Sequence, residues 1–147
     1  MARATDEQYT PKFIFDALGI EFDLDVCAPI DGAPFVPAKK HFHKEQNGLA
    51  QLWEGIVWMN PPFSEGTIWH NNFYAHGNGI ALAPMSKANW FYTYWTDTTV
   101  GMLMPTPHLK FRQTDGSDKG IFIPIVLIAM GPKCVKALRD SGLGLMR

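Results

Sequence analysis

Several features that mark protein classes are scarce in this chain. Cysteine occurs only twice, as Cys27 and Cys134, which is too few for a disulfide framework and makes an intracellular, reducing compartment the default expectation. Long apolar runs are missing as well. The longest, Ile121 to Met130, is broken by Pro124 and reaches about half of the ~20 residues that a membrane-spanning helix requires. The residues before Asp6 and Glu7 carry no signal-peptide pattern, so none is expected. Nor is there an excess of charge. Thirteen basic and 14 acidic residues leave a formal net charge of −1, so the molecule as a whole has no bulk attraction for phosphate, the term that dominates non-specific DNA affinity.

What is present belongs to a globular protein. The apolar fraction of 46% and the aromatic fraction of 13% argue against disorder, where aromatics are scarce. A chain of 147 residues is the size of one ordinary domain and buries roughly 70% of the surface its unfolded form exposes. With no internal repeat and no composition break, the expectation is one domain over 1–147.

Patterning along the chain gives alternating strands and helices. Thr10 followed by Pro11 reads as a helix start, with Thr10 as the cap, Ile14 and Leu18 on the inner face and Gly19 as the stop. Phe22, Leu24 and Val26 alternate with Asp23 and Asp25, the period of a half-buried strand. Pro29 to Gln46 has no clear periodicity and reads as a long functional loop. Leu49, Leu52 and Trp53 indicate a short helix. Ile56 to Met59 is a continuous apolar run, the mark of a parallel strand covered on both faces. A helix then carries Ile68, Trp69, Asn72 and Phe73, a strand runs from Ile80 to Ala83, and Ser86 caps a helix pairing Trp90 with Tyr94 and Phe91 with Trp95. Val100–Met104, Leu109–Arg112 and Ile121–Met130 are strand candidates, and Pro132 opens a final helix with Val135 and Leu138 inward. The order predicts an α/β fold with a mostly parallel sheet, antiparallel toward the C-terminus, and helices on both faces.

In open α/β sheets, ligands sit outside the carboxyl ends of the strands. Three segments stand at such ends: Tyr9-Thr10-Pro11, Asp25-Val26-Cys27-Ala28 and Asn60-Pro61-Pro62-Phe63. Prolines cannot continue a strand ladder, so the tetrapeptide must be a loop beyond Met59. Its residue types suit one chemistry. The lone pair of an aromatic or amide amine is delocalised, and two acceptors on its hydrogens favour the pyramidal form in which the pair is available. The Asn60 side-chain carbonyl and the Pro61 main-chain carbonyl can supply them, held in place by consecutive prolines.

In order and spacing these segments resemble the phage DNA adenine methyltransferase family, from Asp6-Glu7-Gln8-Tyr9-Thr10-Pro11 through Phe22 to Ala28 and on to Trp58 to Phe63. The resemblance implies a Rossmann-like methyltransferase fold, S-adenosylmethionine as cofactor, and transfer of its methyl to the 6-amino group of adenine in DNA. Asn60, Pro61, Pro62 and Phe63 would then be catalytic, with Phe63 stacking on a base flipped out of the duplex. Tyr9, Thr10 and Pro11 would line the methionine end of the cofactor together with Asp25, Val26, Cys27, Ala28 and Asn60, and Asp25 would reach its amino group. A phage-encoded enzyme of the bacterial cytoplasm is implied, and this chemistry requires no metal. One departure from the wider methyltransferase pattern is visible: the glycine-rich turn after the first strand is here Cys27-Ala28-Pro29-Ile30-Asp31-Gly32, with a single glycine.

Other readings stay open. Without its companions, Asp25 reads as a capping or surface acid and Phe63 as a core aromatic; Trp58 reads as core. His41 and His43 with a cysteine fit no closed zinc pattern. Lys39, Lys40, Lys110 and Arg112 are the candidate DNA contacts, although each basic cluster taken alone reads as a solvated loop. The tetrapeptide would equally serve methylation of the cytosine 4-amino group or of a protein glutamine amide, and a non-catalytic DNA- or protein-binding scaffold is a separate class. A chain this short leaves little room for a target-recognition domain, so readout falls to loops such as Pro29–Gln46 and Gln113–Gly120, or to a homodimer partner.

Overall fold

The computed structural model describes residues 8–29, 35–106, 110–113, 118–120 and 124–147. Strand β1 (Gln8–Tyr9) leads through Thr10 and Pro11 into helix α1 (Lys12–Leu18). The helix starts one residue later than the sequence indicates: Pro11 is its N-cap, with no side-chain capping bond, and Thr10 is occupied elsewhere. It ends as expected, at Gly19 with φ 63°, a left-handed conformation that glycine adopts without steric cost. Then come β2 (Phe22–Ala28), β3 (Ala38–His43), β4 (Val57–Met59), α2 (Gly66–His76), β5 (Gly79–Pro84), α3 (Asn89–Thr96) and β6 (Gly101–Pro105). After these follow β7 (Lys110–Gln113), β8 (Asp118–Gly120), β9 (Ile125–Met130), α4 (Pro132–Asp140) and β10 (Gly144–Met146).

Seven strands form one mixed sheet in the order β10-β6-β9-β5-β4-β2-β3. Strands β3, β2, β4 and β5 run parallel, whereas β9 is antiparallel to both β5 and β6, and β10 is antiparallel to β6. The expected reversal late in the chain is therefore present. Helices cover both faces. Trp69 and Phe73 of α2 and Trp90, Phe91 and Tyr94 of α3 pack on Val57, Met59, Ala81 and Val126. Ile14, Phe15 and Leu18 of α1 and Leu138 of α4 pack with Trp58, Ile80 and Leu127 on the other face. Trp58 is core, buried in an edge contact with Phe15 at 4.8 Å and a tilted contact with Phe22 at 5.7 Å between ring centroids.

Besides the cap of α1, three expectations need correction. The segment Pro29–Gln46 contains β3 rather than loop alone, and residues 30–34 lie outside the described residues. Only Phe42 of β3 is fully buried, because β3 is an edge strand, and lysine-rich edges carry little apolar alternation to read. The short helix around Leu49 to Trp53 is a single 3-10 turn, Gly48–Ala50, fixed by the Trp53 indole N–H donating to the Gly48 carbonyl at 2.8 Å. Ser86 does not cap α3, whose N-cap is Ala88; its hydroxyl instead accepts the Ala88 N–H at 3.0 Å.

A second sheet of three strands, β1-β7-β8, is antiparallel throughout. Its register pairs Tyr9 with Arg112 and Gln8 with Gln113.

Candidate active site

The strand order reverses at β2. From β2 the chain moves outward to β3 and then returns to place β4 on the opposite side of β2. A reversal of this kind opens a crevice beyond the carboxyl ends of the two strands, and there Ala28 ends β2 and Asn60 follows β4.

Asn60 is half-buried, and its amide nitrogen donates to the Thr10 hydroxyl at 3.3 Å across 50 positions of sequence. Thr10 is 5% exposed, so the fold spends a buried hydroxyl on the orientation of this amide. Pro61 is buried and Pro62 is half-buried. Phe63 opens a 3-10 turn, Phe63–Glu65, closed by the Glu65 N–H donating to the Pro62 carbonyl at 3.0 Å. The Phe63 ring is half-buried against the cluster on the α1 face. α2 begins at Gly66, where a Cβ would crowd the Trp90 indole.

Asp25 lies inside β2, opposite Trp58 of β4 and His41 of β3. It is 1% exposed, which removes the reading of a surface acid. One carboxylate oxygen accepts the Cys27 N–H at 3.2 Å, and the other lies 3.5 Å from His41 Nδ1. That distance is ionic contact rather than a well-formed hydrogen bond, and Nδ1 is sealed from solvent without one. Burial pushes the Asp25 carboxyl above its ordinary pKa, opposed by His41 and the Cys27 amide. The carboxylate in turn raises the His41 pKa, against the effect of burial.

Of the other sequence candidates, Val26 and Ala28 are buried and Cys27 and Pro11 are half-buried. Tyr9 is placed through β1 beside this site. Lys39 and Lys40 are exposed on the edge strand and engaged locally: Lys39 pairs with Asp23 at 3.4 Å, and the Lys40 ammonium lies 4.9 Å from the Phe42 ring centroid. They line a surface hollow of about 290 Å³ with Asp23, Phe42, Leu52 and Glu54, and neither Asn60 nor Asp25 belongs to it. Strand β7, which carries Lys110 and Arg112, pairs with β1 immediately before Thr10.

Sequence reasoning missed His41 as the partner of Asp25. The signal was the His41-Phe42-His43 alternation, which sets both histidines on one face of a strand, but nothing showed that this strand pairs with β2. Among the described residues no helix is long and apolar enough to cross a membrane.

The model of one family, DNA N-6-adenine-methyltransferase (Dam), matches residues 2–79. No curated protein and no solved structure matches the chain. The matched stretch carries Thr10, Asp25, His41 and the whole of Asn60 to Phe63, while β6 to β10 lie beyond it.

Proposed function

The chain belongs to the DNA N-6-adenine-methyltransferase (Dam) family, and from that premise we propose that it transfers a methyl group from S-adenosylmethionine to the 6-amino group of a flipped adenine in DNA. The observation that carries this reading is the Asn60–Thr10 contact. With its nitrogen donating to Thr10, the amide would serve the base through its carbonyl oxygen as the acceptor. Together with the Pro61 carbonyl it draws on the two hydrogens of the amine and makes the nitrogen lone pair available. Preorganised acceptors of this kind are worth roughly 10²–10³ in rate each. Phe63 offers a ring for the flipped base, where stacking returns ~1–3 kcal/mol of the cost of flipping.

The residues present fit the cofactor. A carboxylate 1% exposed, with one good hydrogen bond and a neighbour at 3.5 Å, is an anion that favours a cationic ligand, and Asp25 would hold the amino group. Pro11 and the main chain at Thr10 would flank the methionine end, with Val26, Cys27 and Ala28 shaping the floor by their backbone. When bound, S-adenosylmethionine supplies the electrophilic methyl on its sulfonium. Alignment is then the remaining task of the protein. The mixed sheet, parallel from β3 to β5 and reversed at β9, supports a methyltransferase-type scaffold for this site.

The test is transfer of tritiated methyl to unmethylated duplex DNA followed by nucleoside analysis, with wild type and Asn60→Ala side by side. Label in 6-methyladenine should appear with the wild type and fall by ~10²–10³ in the variant, while its cofactor affinity should fall far less than its turnover. Label in cytosine or in protein, or none despite bound cofactor, would overturn the reading.

A further inference from the structure

Asp25 and His41 are register partners on the parallel pair β2–β3. Among the described residues, the groups packed around them are these. Besides His41, β3 brings His43, whose Nδ1 is 3.2 Å from the Pro29 carbonyl. β2 contributes the Cys27 N–H, and β4 contributes the apolar Trp58. α1, packed on Trp58 through Phe15, carries Lys12 and Asp16 as an exposed pair 2.9 Å apart. Lys39, two positions before His41, is turned to Asp23. Among the described residues, His41 is therefore the side chain that can place a cation against Asp25, when its imidazole is protonated.

We infer that His41 is the resident counter-ion of Asp25, that the ammonium of the cofactor takes its place, and that cofactor binding consequently expels a proton from His41. This rests on the proposed reading of Asp25 as the group that receives the cofactor's amino end. The physical case has three steps. A buried carboxylate without a cation is costly, so the cofactor-free protein keeps one beside it. The contact is long and poorly directed, so it supplies charge while leaving lone pairs for a better donor, and an ammonium has three N–H bonds to offer. Two cations crowded on one buried carboxylate then repel, and the one with the weaker hold on its proton loses it.

The sign of the pH dependence follows. In the cofactor-free protein the carboxylate raises the His41 pKa above its ordinary value. Below that pKa the cofactor must displace a proton and binds more weakly. Affinity should rise with pH through it, by at most tenfold per pH unit for one proton, and level off above.

Isothermal titration of the whole protein with S-adenosylmethionine, in buffers of different ionisation enthalpy near pH 6.5, counts the proton directly. Release is expected in the wild type and in His43→Gln, and should be absent in His41→Gln, which should bind more tightly than wild type below the wild-type His41 pKa read by NMR and equally above it. In the cofactor-free protein, the His41 pKa followed by NMR should fall on Asp25→Asn. If His41→Gln does not fold, the wild-type imidazole decides, since its resonances must shift to the neutral form when cofactor is added. Cofactor binding without proton release, or release that survives His41→Gln, overturns the exchange and leaves the proposed function standing. A folded wild type that binds no cofactor removes both.

Discussion

Replacing Thr10 with valine isolates one contact. The variant keeps the shape of a side chain that is 5% exposed and deletes only the hydroxyl 3.3 Å from the Asn60 amide nitrogen. A neutral hydrogen bond contributes a net ~0.5–1.5 kcal/mol. At ~1.36 kcal/mol per factor of ten, full expression in the transition state corresponds to a loss of about twofold to tenfold in kcat. The bond lies just beyond the usual 2.7–3.2 Å range for N–H···O, which roughly favours the lower half of that interval. The assay is single-turnover methyl transfer to duplex DNA, with cofactor affinity measured in parallel. Since Thr10 acts through Asn60, Thr10→Val should cost nothing further in an Asn60→Ala background, a non-additivity that a double-mutant cycle reads directly. Equal losses in both backgrounds, or a loss explained by weaker cofactor binding alone, would refute the orienting role.

Gly48 sits under β2, and a Cβ there would fall inside the contact radius of the Val26 carbonyl oxygen. Gly48→Ala should destabilise the fold by ~1–3 kcal/mol, the usual range for overpacking; an unchanged denaturant midpoint would contradict the close approach. His70 is held neutral by burial, its pKa lowered to about 3, so the unfolded chain binds more protons between that value and the ordinary ~6.5. Stability present above pH 6.5 should therefore be lost as pH falls toward 3, by at most roughly 4–5 kcal/mol at ~1.36 kcal/mol per unit. His70→Phe should remove this component, because an aromatic ring preserves the stack on Trp90, 3.9 Å between centroids. Parallel stability profiles for variant and wild type between pH 7 and 4 would show that His70 is not the group responsible.

How far the sequence could be read depended on whether a residue's role is local. β4, β5 and β9 were legible because central strands are buried on both faces and need apolar runs, all six residues from Ile125 to Met130 being buried, and β2 was legible from the alternation of Phe22, Leu24 and Val26 with Asp23 and Asp25. The end of α1 was legible because a left-handed residue calls for glycine. The site was legible as segments, since Asn60-Pro61-Pro62-Phe63 can only be a loop after a strand. Its internal wiring was not. Thr10 resembles a helix cap until β1 and β4 are seen to bring it against Asn60, and His41 stands in a polar edge strand whose pairing with β2 no periodicity reveals. β10 went unread for a similar reason: Gly144–Met146 is three residues long, and only pairing with β6 makes it a strand.

The small second sheet bears on the proposed encounter with DNA. With a net charge of −1, attraction for the phosphate backbone must come from local cations. Lys39 and Lys40 lie on the outer edge and are engaged with Asp23 and Phe42. β7 carries Lys110 and Arg112 and pairs with β1, where Arg112 stands opposite Tyr9. Tyr9 is followed by Thr10, and Thr10 holds Asn60. Three covalent or hydrogen-bonded links therefore join the strand bearing these cations to the amide proposed to receive the base. A phosphate contact at β7 would therefore fall on the strand that pairs immediately before the residue holding Asn60.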